Sequence, residues 1–195
     1  MTGTHSELPV AARVRQLEER VIAAGLATDA ELDEVLARLY AGASPVNGAR
    51  MVARAWADEG YFPRLLADGN AAAAELGLGD PHGLGYRLKA VANTPHQHNL
   101  VVCTLCSCYP VSLLGPSPSW YKSLAYRSRA VREPRAVLAE FGLDLPARTE
   151  IAVWDASAET RYLVVPARPD GTGELPEDDL AALVTQRGLI GTAAV

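Results

Sequence analysis

The sequence predicts an α/β fold, with α+β as the alternative: an N-terminal helical arm followed by a layered helix–strand domain. Apolar residues recur at helical spacing near the N-terminus, and short runs of alternating polarity follow later in the chain. Helices and strands then alternate towards the C-terminus. A chain of 195 residues, 49% of them hydrophobic, can bury one sizeable core or one core with a small appendage.

Two helices are predicted for the arm. The first places apolar residues on one face and is followed by Gly25, which suits a left-handed C-terminal cap. Thr28 begins the second, because its side chain can cap the helix while Glu31 completes a capping box three residues later. The apolar residues of the two helices are Val10, Val14, Leu17, Val21, Leu32, Val35, Leu36 and Leu39. We predict an arm over residues 1–45 that packs on a partner chain, and a second domain over residues 46–195 that carries the site considered below.

The domain after the arm shows further helix and strand signals. Gly77 and Gly142 suit helix ends, and Pro134 suits the first position of a helix. Helices are predicted over residues 47–56, 71–76, 119–132, 134–142 and 177–186. Strands are predicted over residues 86–92 and 100–102, and around residues 151–153 and 162–164, from alternating or continuous apolar runs.

Composition excludes several classes of function. The net charge of -5 and the lack of a basic run with interleaved aromatic residues argue against nucleic acid as a partner. No apolar run approaches the roughly 20 residues that cross a bilayer, and the first residues do not resemble a signal peptide. We therefore expect a cytoplasmic protein that does not bind a membrane.

All three cysteines of the chain, Cys103, Cys106 and Cys108, lie within six residues. An odd number of thiols in so short a loop makes a poor disulfide framework, which leaves metal or redox chemistry. A Cys-x-x-Cys redox pair is one alternative, although the third thiol would compete with it. A structural zinc site completed by His96 or His98 is another, although such sites usually combine two separate knuckles.

The third alternative is a claw loop around a trivalent metal. Only Ser107 separates Cys106 from Cys108, so both thiolates and the backbone nitrogens of Ser107 and Cys108 can lie in one plane. Cys103 would then reach the metal from below, and one coordination position would stay open. That arrangement is the one required for Lewis-acid hydration.

The segment Val-Val-Cys-Thr-Leu-Cys-Ser-Cys-Tyr-Pro over residues 101–110 resembles the metal-binding signature of nitrile hydratase α subunits. Other segments resemble the same subunit in the same order, so that the resemblance covers nearly the whole chain. They lie at residues 47–50, 53–56, 93–95, 120–123, 126–129, 153–155, 161–164 and 189–191. Thiocyanate hydrolase, whose γ subunit carries a similar claw, is the alternative within this family. A non-catalytic zinc-binding interaction module is the alternative outside it.

The resemblance implies a role for each residue of the claw. Cys103 would be the axial thiolate, Cys106 a cysteine sulfinic acid and Cys108 a cysteine sulfenic acid, with the backbone nitrogens of Ser107 and Cys108 as further ligands. Cys106, Ser107 and Cys108 would form the catalytic group. The metal would be one Co(III) per subunit rather than iron, because Thr104 and Tyr109 occupy positions where the cobalt-type members of the family have these residues. The enzyme would be a lyase that hydrates a nitrile to the amide.

The resemblance also implies partners. The oxidised sulfurs would receive hydrogen bonds largely from arginines of a β-type subunit, in one chain or split into two. An activator protein would insert the cobalt, and the substrate would be a small-molecule nitrile.

Four residues are predicted to line the substrate pocket: Tyr109, Val111, Ser112 and Trp120. The family usually has Trp at the position of Val111 and Pro at that of Ser112. The smaller pair opens space and adds a hydroxyl, which favours a bulky heteroaromatic nitrile such as the nucleoside antibiotic toyocamycin. The alternative is that a neighbouring side chain fills the gap, because protein interiors seldom leave empty space.

Overall fold

The computed structural model describes residues 9–78, 85–106 and 108–195, and the chain forms two compact units, Met1–Ala41 and Gly42–Val195. The described part of the first unit contains helices α1 (Val10–Ala23) and α2 (Asp29–Tyr40). The predicted capping box of α2 is confirmed: the backbone N–H of Glu31 donates to Thr28 Oγ1 at 3.3 Å, and that of Thr28 donates to Glu31 Oε2 at 2.8 Å. The predicted helices of this segment are therefore present.

Several apolar side chains of these two helices are exposed to solvent. Val14 and Leu17 of α1 are 58% and 61% exposed, and Val35 and Leu36 of α2 are 52% and 51% exposed. Exposed apolar side chains repeated along both helices are typical of a docking surface.

The second unit contains eight described α-helices and one short 3-10 helix. They are α3 (Pro45–Ala57), α4 (Tyr61–Ala67), α5 (Gly69–Glu75), α6 (Val111–Leu114), the 3-10 helix η1 (Ser119–Lys122), α7 (Leu124–Arg129), α8 (Pro134–Glu140), α9 (Glu177–Leu183) and α10 (Gln186–Ile190). The sequence did not predict α4, α6 or α10. Helix α3 begins at Pro45 rather than at Asn47, because Ser44 Oγ accepts a hydrogen bond from Val46 N at 3.2 Å and caps the helix earlier.

One predicted helix was wrong in being continuous, and the helix predicted over residues 177–186 ends earlier, at Leu183. The segment predicted as one helix over residues 119–132 consists of η1 and α7, separated by Ser123 in extended backbone conformation. Ser123 Oγ accepts from Tyr126 N, so Ser123 caps α7. Thr185 likewise separates α9 from α10 and accepts from Gly188 N at 3.1 Å. Hydroxyl side chains compete for backbone N–H groups, which favours a new helix start over a continuous helix.

The four described strands form two parallel pairs. They are β1 (Arg87–Ala92), β2 (Gln97–Val102), β3 (Glu150–Asp155) and β4 (Thr160–Val165), with β1 paired to β4 and β2 paired to β3. In β1 the side chains of Leu88 and Ala90 are buried while those of Arg87 and Lys89 are exposed, as the alternating sequence predicted. Parallel strand pairs with helices between them confirm the predicted mixed helix and strand fold.

Strand β2 is buried along almost its whole length and leads directly to the cysteines. Leu100, Val101 and Val102 are at most 2% exposed and lie in one core with residues of α3, β4 and α10. Gly191 is the C-cap residue of α10 and has a left-handed backbone conformation, with φ +90°. Its Cα lies against the backbone of Asn99 in β2. Among the described residues, none of the helices combines the length and apolarity that a membrane span requires.

Candidate metal centre

The cysteine loop begins where β2 and β3 end side by side. Val102, the last residue of β2, lies opposite Asp155, the last residue of β3. Cys103 follows immediately and is fully buried, whereas Cys106 is exposed and Cys108 is half-buried. The loop therefore runs from the core to the surface at the carboxyl end of a parallel strand pair, which is a common place for ligand sites in such folds.

The three thiol sulfurs converge. All three Sγ atoms lie within 4.8 Å of one another. Cys106 Sγ is 3.4 Å from Cys103 Sγ and 3.0 Å from Cys108 Sγ, both well beyond the disulfide bond length of about 2.05 Å. The backbone N–H of Cys106 also donates to Cys103 Sγ at 3.3 Å. Three soft sulfur donors in this arrangement match a transition-metal site.

The surroundings of Cys108 favour its neutral thiol over its thiolate. Burial raises the pKa of the Cys108 thiol to about 12, and the hydrogen bond with Cys106 acts in the same direction. The positive charge of Arg161 partly opposes the rise in this pKa. A bound metal ion would supply the additional positive charge that stabilises the thiolate.

Two tyrosines hold the ends of the cysteine loop. Tyr126 of α7 donates its hydroxyl to the carbonyl oxygen of Val101 at 2.5 Å, and Tyr121 of η1 donates to that of Cys108 at 3.0 Å. Both tyrosines are buried, and their rings lie 5.9 Å apart. The segment after the cysteines thus folds back and fixes the loop from one side.

Two charged residues that the sequence did not connect with the metal site hold the first turn of the loop. Arg127 of α7 donates to the carbonyl oxygens of Cys103 at 3.0 Å and Thr104 at 2.5 Å. Asp155 accepts from the backbone N–H of Thr104 at 2.8 Å and from its hydroxyl at 2.5 Å. No sequence pattern connects these residues, because 51 positions separate Thr104 from Asp155.

Two of the predicted pocket residues lie in an aromatic cluster. Tyr109 is 6% exposed and packs edge-on against Tyr121, with ring centroids 5.1 Å apart. Burial raises the pKa of the Tyr109 hydroxyl above its usual range, and the Gln186 side chain partly offsets this. Trp120 packs edge-on against Tyr126 and Phe141 at 4.9 and 4.7 Å. These contacts are typical of a core, and a substrate role for Tyr109 and Trp120 stays a prediction.

The other two predicted pocket residues open α6. Val111 is half-buried, and Ser112 lies beside it with its hydroxyl 3.3 Å from the hydroxyl of Tyr86. The carbonyl oxygen of Ser112 accepts from Asn47 Nδ2 at 2.8 Å. The two residues that distinguish this chain from the usual family pattern are thus part of one short helix just after the cysteines. Ser107, the predicted ligand through its backbone nitrogen, lies outside the described residues.

Arg161 of β4 is a third charged residue close to the cysteines, and the sequence did not assign it a role. Its guanidinium lies over the ring of Tyr86, 5.3 Å from the centroid. Its Nε and Nη1 atoms are buried and have no hydrogen-bond partner among the described residues. The positive charge of Arg161 acts on the Cys108 thiol, and buried N–H donors are suited to oxygen acceptors.

The histidines near the loop do not join the sulfurs. His98 is 6% exposed; its Nε2 lies 2.7 Å from the carbonyl oxygen of Gly191, and its Nδ1 lies 3.2 Å from Asn93 Nδ2. Burial lowers the pKa of His98, so its neutral form is favoured. His96 is exposed. Among the described side chains, the zinc site completed by a histidine, one of the alternatives from the sequence, is not formed.

Comparison with known proteins identifies relatives over nearly the whole chain. The family model described as "Nitrile hydratase, alpha chain" matches residues 8–193. The low-molecular weight cobalt-containing nitrile hydratase subunit alpha of Rhodococcus rhodochrous is 46% identical over 192 residues, which cover 98% of this chain and 92% of that protein.

Two further relatives differ from the cobalt-containing nitrile hydratase subunit, one in its metal and the other in its named substrate. A solved structure of an Fe-type nitrile hydratase variant from Comamonas testosteroni Ni1 superimposes with a TM-score of 0.84 at 41% identity, covering 99% of this chain and 92% of that chain. The thiocyanate hydrolase subunit gamma of Thiobacillus thioparus is 46% identical over 158 residues, covering 76% of this chain and 65% of that protein.

Proposed function

The chain belongs to the nitrile hydratase α-chain family, and from this premise we propose that it is the metal-bearing α subunit of a cobalt-type nitrile hydratase. As a lyase, it adds water to a nitrile and forms the amide. The observation that carries the proposal is the convergence of three thiols within 4.8 Å at the end of a buried strand. Family members with this chemistry share sequence with the chain over nearly all of its length.

The thiols fit the metal that the family implies. Cys103, Cys106 and Cys108 would hold it, together with the backbone nitrogens of Ser107 and Cys108. When bound, cobalt(III) supplies Lewis-acid activation of water or of the nitrile. Cys103 lies in the core and would fix the metal from the protein side, while Cys106 and Cys108 face the accessible side of the loop, where sulfur oxidation is favoured. Arg161 would donate to an oxygen on Cys108.

Cobalt is favoured over iron by two observations. Thr104 and Tyr109 occupy the two positions that distinguish the cobalt type in this family, and the Rhodococcus rhodochrous relative is described as cobalt-containing. The Fe-type structural neighbour makes the metal a question for measurement.

We expect purified active enzyme to contain close to one cobalt per chain. Elemental analysis measures this, and mass spectrometry of the peptide spanning Cys103 to Cys108 should find two added oxygens on Cys106 and one on Cys108. Iron as the dominant metal in active enzyme would contradict the cobalt assignment. Zinc with unoxidised cysteines and no activity would favour the alternative of a zinc-binding interaction module.

A β-type partner subunit is part of the proposal. Four apolar side chains of α1 and α2 are more than half exposed, and Leu105 in the cysteine loop is 86% exposed. A partner that covers Leu105 would also bring donors to the oxidised sulfurs. The family resemblance also implies that the partner is one chain or is split into two. It further implies an activator protein that inserts the cobalt. The expected location in the cytoplasm stays a prediction.

Thiocyanate hydrolase is the second candidate function, favoured by the γ subunit that is 46% identical over 158 residues. The two functions are separated by their products. Amide formed from nitriles supports the hydratase, whereas carbonyl sulfide and ammonia from thiocyanate, without amide from nitriles, would support the hydrolase.

The Val111→Trp variant tests the proposed preference for a bulky heteroaromatic nitrile. Indole is larger than isopropyl, so it should narrow the space beside Cys108 and lower kcat/KM for a heteroaromatic nitrile by about tenfold or more. The value for a small aliphatic nitrile should change little. Steady-state kinetics on both substrates measure the difference, with Val131→Trp at an exposed site as the control. An equal loss on both substrates would contradict a pocket-width effect and favour the alternative that a neighbouring side chain fills the space.

A further inference from the structure

The peptide bond between Cys103 and Thr104 is held from two sides by opposite charges. Its carbonyl group, on Cys103, accepts from Arg127 Nε at 3.0 Å, and its N–H group, on Thr104, donates to Asp155 Oδ1 at 2.8 Å. Because the C=O and N–H of a trans peptide point in opposite directions, the guanidinium and the carboxylate form hydrogen bonds with the peptide on opposite sides. Rotation of this peptide plane would break both hydrogen bonds.

Each charged group makes a second hydrogen bond to the same turn. Arg127 Nη2 donates to the carbonyl oxygen of Thr104, and Asp155 Oδ2 accepts from the Thr104 hydroxyl, both at 2.5 Å. The fork of the guanidinium thus spans two consecutive carbonyls, which a lysine could not do. Two-point contacts fix direction as well as distance, so the path of the chain from Cys103 to Cys106 is determined.

Other parts of the fold fix the two charged groups themselves. Asp155 is the last residue of β3, and the hydrogen bond from Ala156 N to the carbonyl oxygen of Val102, at 2.7 Å, extends the pairing with β2. Arg127 lies on α7, the helix whose Tyr126 donates to the carbonyl oxygen of Val101. Strand pairing and a capped helix therefore position the two groups.

We propose that Arg127 and Asp155 are positioning residues that keep the turn from Cys103 to Cys106 in its metal-binding shape before the metal arrives. This inference rests on the proposed role of the cysteines as metal ligands, and it does not depend on which substrate the enzyme uses. A preformed turn reduces the conformational entropy that metal binding would otherwise remove. Loss of either charge should free the Cys103–Thr104 peptide and weaken the capture of cobalt.

Three variants test the inference: Asp155→Asn, Arg127→Lys and Thr104→Val. Asp155→Asn replaces an acceptor oxygen by a donor, Arg127→Lys keeps the charge but cannot span two carbonyls, and Thr104→Val removes only the hydroxyl. Matched controls are Asp170→Asn, an exposed carboxylate, and Arg132→Lys, an exposed arginine that also donates to a backbone carbonyl. The protein is the full chain with any subunit that co-purifies, stripped of metal.

Two measurements are made, neither of which requires substrate. Hydrogen exchange of the metal-free protein should be faster at the amide of Thr104 in Asp155→Asn and at the loop amides in Arg127→Lys, by about tenfold or more for each lost charge-assisted bond. Titration with cobalt(II) alone should give weaker binding by a similar factor, with a smaller loss in Thr104→Val. Both controls should match the unmodified chain. Asp155→Glu, which retains the carboxylate, should recover part of the affinity.

Unchanged hydrogen exchange at Thr104 in Asp155→Asn would overturn the inference. Unchanged cobalt affinity in both Asp155→Asn and Arg127→Lys would also overturn it. If Asp155→Asn or Arg127→Lys fails to fold, Thr104→Val decides the result, because it leaves both charged groups in place. Failure of the proposed function is distinguishable: the unmodified chain would then bind cobalt but form no amide, and the effect of the variants on exchange and affinity would be unaffected.

Discussion

Replacing Cys108 by serine is expected to abolish nitrile hydration. Serine retains the size of the side chain but loses the sulfur that holds the metal and becomes oxidised. Changes outside the ligand shell of a metal cost about 10- to 100-fold, so loss of a ligand should lower kcat/KM by more than about 100-fold. Cys103→Ser and Cys106→Ser should have the same effect, because all three sulfurs lie within 4.8 Å and act together.

The fold should largely survive these three substitutions, because Cys106 is exposed, Cys108 is only half-buried, and serine is close in size to Cys103, the one cysteine that lies in the core. Steady-state kinetics, cobalt content and thermal unfolding measure the outcome for each variant. Ser128→Ala, at an exposed position of α7, is a control that leaves all three thiols unchanged. More than a trace of hydration by Cys108→Ser would contradict the role assigned to this residue.

Replacing Gly191 by alanine is expected to lower the free energy of unfolding by about 4 kcal/mol. A Cβ atom at this position would lie 1.9 Å from the carbonyl oxygen of Asn99, and the backbone of Gly191 is in the left-handed region at φ +90°. Asn99 cannot move away easily, because its side chain donates to the carbonyl oxygen of Ala92 at 2.7 Å and accepts from Trp154 Nε1 at 2.8 Å. The clash therefore has to be relieved by separating α10 from β2.

Gly171→Ala is the matched control for this variant. Gly171 also has a left-handed backbone conformation, at φ +78°, but a Cβ atom there would meet no atom within 4 Å. It should cost only the conformational strain of about 1–2 kcal/mol. Denaturant unfolding of both variants measures the difference. Equal losses at the two glycines would show that the contact with Asn99 contributes nothing beyond strain.

Local signals in the sequence predicted much of the fold. The capping box of Thr28 and Glu31, the helix start at Pro134 and the alternation along β1 each depend on residues only a few positions apart, and the structure contains all three. Ser123 divides the helix predicted over residues 119–132, because its hydroxyl caps α7, whereas a hydroxyl residue is also tolerated inside a helix. Sequence periodicity does not distinguish the two cases.

The centre of the site was predictable and its surroundings were not. The spacing of Cys103, Cys106 and Cys108 within six residues predicts their convergence. Arg127, Asp155 and Arg161 reach the cysteine loop from α7, β3 and β4, and only the tertiary fold brings these elements together. A single sequence carries no signal for contacts between such distant positions.

The parallel pairing of β2 with β3 imposes an order of events on the synthesis of this chain. The cysteines leave the ribosome first, whereas Asp155 and the strand that supports it are made roughly 50 residues later, a delay of several seconds at typical rates of translation. During that interval β2 has no partner strand, and Thr104 lacks its acceptor. The thiols accordingly pass through a period as part of an unfinished polypeptide, open to oxidants and to any thiol-binding ion in the cell. The hydrogen bonds between Thr104 and Asp155 can therefore form only after translation through β3.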